Sequence, residues 1–475
     1  ISRQLWWGQQ IPAYYLTGTN DFVVAENAEK ALEIARLKSG KPNLQLSDLK
    51  QDEDVLDTWF SSWLWPISVF DGIRNPDNAD IRYYYPTDDL ITAPEILFFW
   101  VARMIIAGYE YRKQKPFKNV YLTGIVRDKK RRKMSKSLGN SPDPLELIEK
   151  YSADGVRVGM LLCSPAGNDL LFDENLPEQG RNFANKIWNA FRLVKSWPID
   201  HEARPTLASE RAIVWFYERL KLGVGEIEEA FSQYRISEAL MIAYKLFWDE
   251  FSSWYLEIIK PEFGKPLDHR TYQSTIEMFE VLLRILHPFI PFITEEIWHL
   301  LKERPQGFSL MFEKAPSVKP IDKEKLSRFE QVKQVVGFVR NTRIEKQIPV
   351  KEKLVLLIRP TDYHNDFEAV VLKQANLSEI KIVTDKPESA VSYITADAEY
   401  YIPLGELHNS EEEIKKLEDE LRYTLGFLES VMKKLNNEKF VNNAPAKVLE
   451  LENRKKDDAK TKIKAIEERL ELLKK

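Results

Sequence analysis

A dense group of positive charges lies near residue 130. Seven of the ten residues from 127 to 136 are cationic, and such crowding costs repulsion unless an anion or solvent offsets it. Lys133 and Lys136 fall in a loop with serine and glycine directly after a predicted strand, where phosphates commonly bind in α/β sheets. Two ammonium groups on such a loop can stabilise charge that develops on the phosphates of ATP during nucleotidyl transfer. Charge alone equally allows a solvated basic loop or a localisation signal.

The elements that must hold this loop alternate between strand-like and helical patterns over residues 1 to about 165. Residues 119–126 are β-branched and aromatic and predict a buried strand that ends at the charged loop. Residues 94–109 predict a helix, because Ile96, Trp100 and Met104 recur at helical spacing and a proline suits the first turn. This alternation favours an α/β fold with parallel strands.

The rest of the chain changes character three times. Long amphipathic stretches predict an antiparallel helical bundle, and they cover residues 182–196, 209–232, 235–259 and 271–286. A helix over 329–343 and four short strand-like runs then predict a small α+β unit, with the runs at 354–358, 379–383, 391–395 and 399–404. The tail from about 409 keeps an approximate heptad register on both sides of a break at 436–445. It predicts an antiparallel coiled-coil hairpin, with an intermolecular zipper as the alternative.

Composition limits the class of protein. The 475 residues predict about three domains. The 69 Lys and Arg against 73 Asp and Glu, a net charge of -4, argue against a wholly basic nucleic-acid wrapper. Cys163 is the single cysteine, so an internal disulfide and a multi-cysteine zinc site are excluded. The most apolar run, 91–108, is too short and too charged to span a bilayer. We therefore expect a soluble, cytoplasmic protein without a membrane partner.

The charged loop also carries a known motif. Lys133-Met134-Ser135-Lys136-Ser137 matches, letter for letter, the second signature of class I aminoacyl-tRNA synthetases. Other segments are similar as well. Residues 54–62 and 64–66 resemble the corresponding segment of the valyl-tRNA synthetase family. Residues 1–8 resemble the stretch that follows that family's editing insertion. The whole chain resembles the C-terminal portion of that family.

The resemblance implies four domains. They are the C-terminal half of a Rossmann-like α/β catalytic domain with the signature loop (1–180), an all-α helical-bundle anticodon-binding domain (181–328), a small α+β junction domain (329–408) and a coiled-coil tRNA-binding arm (409–475).

The resemblance also implies roles for particular residues. Lys136 is the lysine that contacts ATP and Lys133 assists it, so both are catalytic. Met134, Ser135 and Ser137 complete the ATP-binding loop, and Glu95 lies near the ribose of ATP. The valine side-chain pocket corresponds to Trp59, Ile96 and Trp100. Without the resemblance, aromatic residues at this spacing predict ordinary core packing.

The implied reaction joins L-valine to tRNA(Val) through a valyl-adenylate, with ATP as a substrate and Mg²⁺ accompanying it. No zinc is expected, because residues 16–54 lack the paired cysteines of some relatives. A monomer is expected. The family's first signature, His-Ile-Gly-His, does not occur in the sequence and neither does its editing domain, so we expect this portion alone to be inactive. Two alternatives remain open, a non-catalytic tRNA-binding protein and a synthetase for another branched-chain amino acid such as isoleucine.

Overall fold

The computed structural model describes residues 2–3, 7–162, 168–361, 363–387, 390–395, 398–403, 410–436 and 446–473. The chain divides into two compact units. The first comprises Ile1–Trp197, Arg219–Ser253 and Thr275–Pro320, and the second comprises Pro198–Glu218, Trp254–Ser274 and Ile321–Lys475.

The first unit begins with small antiparallel sheets and one helix. Its elements are β1 (Ser2–Arg3), β2 (Ala13–Leu16), β3 (Phe22–Val24), α1 (Ala28–Ser39), β4 (Leu49–Gln51) and β5 (Val55–Leu56). β2 pairs with β3 and β4, and β1 pairs with β5. Helix α1 begins where the Asn27 side chain accepts the backbone N–H of Lys30. Its buried Ala31 and Ala35 pack on Tyr14 of β2.

Parallel strands follow. The elements are α2 (Trp59–Ser62), α3 (Trp65–Ser68), α4 (Ala79–Tyr84), β6 (Thr87–Thr92), α5 (Ala102–Arg112), β7 (Phe117–Leu122), β8 (Val126–Arg127) and β9 (Leu170–Leu171). β6 pairs in parallel with β7, and β8 with β9. The parallel pairing expected from the sequence is therefore observed, within separate two-stranded sheets of the described residues. The helix expected over 94–109 consists of a 3₁₀ turn (Pro94–Ile96), a wide π turn (Leu97–Val101) and α5.

Helices form most of the remaining structure up to residue 301. They are α6 (Pro144–Tyr151), α7 (Ala153–Leu162), α8 (Asn175–Ser196), α9 (Leu207–Ser232), α10 (Ile236–Lys245), α11 (Leu256–Ile259), α12 (His269–Leu286) and α13 (Pro291–Leu301). The single helix expected over 235–259 is interrupted by a π-helical segment, Leu246–Tyr255, between α10 and α11. In the first unit, fully buried Phe183, Phe247 and Phe279 pack edge to face at ring separations near 6 Å.

The second unit contains a mixed sheet. Its elements are β10 (Ile199–Asp200), β11 (Leu267–Asp268), α14 (Lys323–Glu345), β12 (Leu354–Pro360), α15 (Glu368–Gln374), β13 (Leu377–Ile382), β14 (Ala390–Ile394) and β15 (Ala398–Pro403). The four-stranded order is β13-β12-β15-β14, with β12 parallel to β13 and antiparallel to β15. Phe329 of α14 is fully buried and stacks on Trp215.

Two long helices end the chain, α16 (Ser410–Leu435) and α17 (Ala446–Leu473). They run antiparallel, because Glu420 pairs with Lys462 at 2.9 Å and Lys434 pairs with Glu452 at 3.9 Å. Leu421 packs on Ile466 and Leu470. The turn expected within 436–445 lies almost entirely outside the described residues. No helix in the described part of the chain combines the length and the apolar character needed to cross a membrane.

Candidate active site

The charged loop is a tight turn at the carboxyl end of β8. Arg127 and Lys133 face each other as an antiparallel bridge, which closes the turn between them. The Asp128 carboxylate accepts the backbone N–H groups of Lys130 and Arg132, both at 2.9 Å. This pattern is an Asx turn, in which a side chain replaces a backbone acceptor. The Asp128 side chain therefore fixes the conformation of the loop.

Asn140 holds the second half of the loop. Its side-chain oxygen accepts the N–H of Ser135 at 2.9 Å, and its side-chain nitrogen donates to Asp128 at 3.1 Å and to the Lys133 carbonyl at 3.3 Å. The hydrogen bond from Asn140, followed by those from Arg132, holds the pKa of Asp128 far below its ordinary value. Sequence reasoning missed both Asp128 and Asn140. An aspartate at the start of the predicted loop is typical of a turn, and this signal could have identified Asp128.

Two residues predicted to bind ATP contact each other. Lys133 Nζ donates to Glu95 Oε2 at 2.6 Å, and the two side chains are 58% and 48% exposed. Glu95 lies in the 3₁₀ turn that follows β6, so the ion pair joins the turn after β6 to the loop after β8. An ion pair this exposed contributes only about 0–1 kcal/mol. Competing phosphate oxygens can therefore displace the carboxylate from Lys133.

The remaining signature residues follow directly. Met134 donates its backbone N–H to Val126 at 3.3 Å. The hydroxyls of Ser135 and Ser137 lie 3.1 Å apart. Lys136 begins a short 3₁₀ turn, Lys136–Leu138, and its side chain lies outside the described part of the structure.

A largely apolar cavity of about 550 Å³ lies beside the 3₁₀ turn that contains Glu95, because Ile96 of that turn lines it. Its lining combines β6, the wide turn before α5 and the α2–α3 region: Ser61, Ser62, Trp65, Ser68, Leu90, Ile91, Thr92, Ile96, Trp100, Val101 and Met104. Ile96 and Trp100, both predicted for the valine pocket, therefore line one cavity. Ile96 also follows Glu95 directly, so the cavity and the ion pair meet at consecutive residues. Trp65, which is 56% exposed, is an indole of the lining that sequence reasoning did not assign.

Trp59 has a different environment. It begins α2, and its backbone N–H donates to the Asp57 carboxylate at 3.1 Å. The Arg103 guanidinium lies against its indole ring. Arg103 is only 3% exposed, and its side-chain nitrogens have no hydrogen-bond partner among the described residues. Burial lowers the pKa of Arg103, and the charge of Asp57 opposes that effect. Within the part of the chain that the structure describes, no group of three or more His, Cys, Asp or Glu side chains is arranged to hold a metal ion.

Comparison with known proteins agrees with this arrangement. Residues 1–173 match the family model for class I tRNA synthetases (I, L, M and V), and 214–358 match the anticodon-binding domain of tRNA ligase. Residues 409–474 match the valyl tRNA synthetase tRNA binding arm. These matches identify the chain as part of a class I aminoacyl-tRNA synthetase.

Comparison with individual relatives identifies the family within this class. The chain is 60% identical over 474 residues to the valine--tRNA ligase of Parabacteroides distasonis, and 56% identical over 475 residues to that of Phocaeicola vulgatus. Each alignment covers 100% of this chain and 54% of the relative. The valine--tRNA ligase of Thermotoga maritima is 37% identical over 453 residues, covering 95% of this chain and 51% of the relative. The chain belongs to the valine--tRNA ligase family, and it spans about half the length of the curated relatives it matches.

Proposed function

We propose that this chain contributes to the ATP-dependent ligation of L-valine to tRNA(Val). In the first step the valine carboxylate attacks the α-phosphate of ATP, forming valyl-adenylate and releasing pyrophosphate. In the second, a terminal ribose hydroxyl of the tRNA attacks the valyl carbonyl and releases AMP. The observation that supports this proposal most strongly is the alignment of the entire chain with enzymes named valine--tRNA ligase.

The loop supplies the phosphate chemistry. Lys136 and Lys133 offset the negative charge that grows on the α-phosphate and on the departing pyrophosphate, and Mg²⁺ enters as a complex with ATP. Met134, Ser135 and Ser137 shape the loop around the nucleotide. Glu95 accepts a hydrogen bond from the ribose once Lys133 has moved from it to the phosphates. The 2.6 Å contact between Glu95 and Lys133 supports this assignment, because it brings together two residues that the resemblance assigns to ATP.

The cavity supplies amino-acid selection. Ile96 and Trp100 contact the valine side chain, since an indole and a branched aliphatic group suit an isopropyl group. Trp59 is not among the residues that line this cavity, so its place in the valine pocket rests on the family resemblance alone. Such a pocket discriminates weakly against an isostere that adds a hydroxyl, so threonine is the expected competitor.

The remaining regions bind tRNA. We propose the layout of catalytic half (1–180), anticodon-binding bundle (181–328), junction domain (329–408) and coiled-coil arm (409–475). The matches at 214–358 and 409–474 and the antiparallel pairing of α16 with α17 support it. We further propose that β6 and β7 belong to a Rossmann-like sheet, and that the protein works as a cytoplasmic monomer, as the resemblance to its family implies.

The test is amino-acid-dependent exchange of pyrophosphate into ATP. It compares this chain alone with this chain joined to the portion of the Parabacteroides distasonis relative that it does not match. We expect valine-dependent exchange only in the joined protein. Preference for isoleucine would contradict the pocket assignment. Binding of tRNA without exchange in either form would instead favour the non-catalytic alternative.

A further inference from the structure

The proposed mechanism uses only two of the seven cations in residues 127–136. Most of the others are neutralised by carboxylates. The ion pairs of the loop are Arg127 with Asp169, Lys129 with Asp173, Arg132 with Asp128 and Lys133 with Glu95. Lys130 and Arg131 are exposed, and neither side chain forms an ion pair within the described residues. These two adjacent cations lie at the tip of the turn.

The backbone at the tip is unusual for an arginine. Arg131 has φ 61°, in the left-handed region that glycine adopts without strain. The conformation is imposed by the Asx turn, because Asp128 accepts the N–H groups on both sides of Arg131. A glycine would fit this position at lower cost.

The tip is close to the proposed chemistry. Arg131 is two residues from Lys133, so their Cα atoms are at most about 7 Å apart. The second step of the proposed reaction brings the 3′ end of a tRNA to this loop. The double-helical arm that carries this 3′ end presents phosphates at regular spacing, and two adjacent cations match such a polyanion. An arginine can bind phosphate oxygens bidentately, whereas a lysine provides a point charge.

We propose that Lys130 and Arg131 bind phosphates of the tRNA acceptor arm and thereby position its 3′ end at the signature loop. This inference rests on the proposed function, since it assigns the RNA partner of the same site. It makes the turn tip a sequence-independent RNA contact, separate from the lysines that act on ATP.

The variants are Arg131→Gly and Lys130→Gln, alone and combined. Arg131→Gly removes a charge and relieves the backbone strain, so loss of folding is not expected. Lys113→Gly is the matched control. Lys113 is also a cation in the first unit with positive φ, 56°, at the end of α5. Its replacement removes the same charge and relieves the same type of strain away from the loop.

Binding of this chain to a short RNA hairpin with the acceptor-stem sequence of tRNA(Val) is measured from 50 to 300 mM salt. We expect each loop variant to weaken binding on the order of fivefold and to reduce the slope of log K against log salt by about 1, because one phosphate contact is lost. The Lys113→Gly control should bind as the parent does. The inference is overturned if Arg131→Gly and Lys113→Gly bind the hairpin equally well. It is also overturned if the loop variants lose binding only to heparin, used as a polyanion without RNA structure, and not to the hairpin.

A second measurement separates this inference from the proposed function. Pyrophosphate exchange by the joined protein requires no RNA. Valine-dependent exchange combined with unchanged hairpin binding by the loop variants would refute the RNA contact alone. Absent exchange, with hairpin binding that still depends on Lys130 and Arg131, would refute the ligase proposal and leave the RNA contact supported.

Discussion

Glu95 contacts Lys133 in the structure, and the ribose of ATP is its second, proposed partner. Replacing it with glutamine weakens both contacts, and the two losses change ATP binding in opposite directions. Loss of the ion pair frees Lys133 for the phosphates and favours ATP binding. Loss of the charged acceptor weakens the hydrogen bond to the ribose hydroxyl and disfavours it. The sign of the change in KM for ATP therefore depends on which contact contributes more.

The sign follows from the relative strengths of the ion pair and of the hydrogen bond to the ribose. The ion pair joins two side chains that are 58% and 48% exposed, and such pairs contribute roughly 0.2–1 kcal/mol, or about 1.4- to 5-fold. A hydrogen bond to a charged group contributes roughly 1.5–3 kcal/mol and one to a neutral group roughly 0.5–1.5 kcal/mol, so exchanging the carboxylate for an amide oxygen loses about 1–1.5 kcal/mol, or about 5- to 13-fold. We therefore expect Glu95→Gln to raise the KM for ATP in the joined protein, with a net increase on the order of threefold.

The assay is pyrophosphate exchange with ATP, 2′-deoxy-ATP and 3′-deoxy-ATP. If Glu95 accepts a ribose hydroxyl, Glu95→Gln should no longer raise the KM for the analogue that lacks this hydroxyl and should lower it slightly through the freed Lys133, as in a double-mutant cycle. Asp88→Asn is the matched control, because Asp88 and Lys118 form another exposed 2.6 Å ion pair in the first unit. A decrease in the KM for ATP, or the same ratio of variant to parent for all three nucleotides, would refute the ribose contact.

Three further predictions concern other parts of the chain. Lys136→Ala in the joined protein should lower adenylate formation on the order of 10²- to 10³-fold, since one charge-stabilising donor is lost, while tRNA binding measured by filter retention stays unchanged; parallel losses would contradict its assigned role. His287 is half-buried, with its Nδ1 2.8 Å from the Thr294 hydroxyl, and burial lowers its pKa from the ordinary 6.5. The unfolded chain therefore takes up a proton more readily, and the free energy of unfolding should fall as pH drops through 6.5; calorimetry from pH 5 to 8 should show a weaker fall for His287→Gln, and an identical slope would contradict this. Phe247→Ala removes a fully buried ring and should destabilise the first unit by about 3–5 kcal/mol in denaturant titration, whereas a change below 1 kcal/mol would show that the ring is not part of a close-packed core.

The spacing of apolar residues predicted those helices and strands whose formation depends on the local sequence pattern. The strand-like run at 354–358 is contained in β12, and the helix expected over 329–343 lies within α14. The π-helical segment Leu246–Tyr255 was not predicted, because its extra residue per turn depends on packing rather than on the apolar spacing. Helix α15 has only seven residues, which is too short to give a clear helical period.

The candidate site, too, was predictable from the sequence only in part. The cationic cluster and the i, i+4 relation of Ile96 and Trp100 are visible in the sequence, and both residues line the same cavity. The carboxylate partners of the loop are not visible, because Glu95 and Asp169 are about forty residues away along the chain. Only the tertiary structure shows which cations at the turn tip form no ion pair with any described residue.

We propose that the cavity and the charged loop form one site for valine and ATP. The decisive experiment is a crystal structure of the joined protein with a non-hydrolysable valyl-adenylate analogue. We predict that the isopropyl group lies against Ile96 and Trp100 and that Lys133 leaves Glu95 for the phosphate oxygens. An analogue bound elsewhere, with the Glu95–Lys133 contact intact, would contradict the claim.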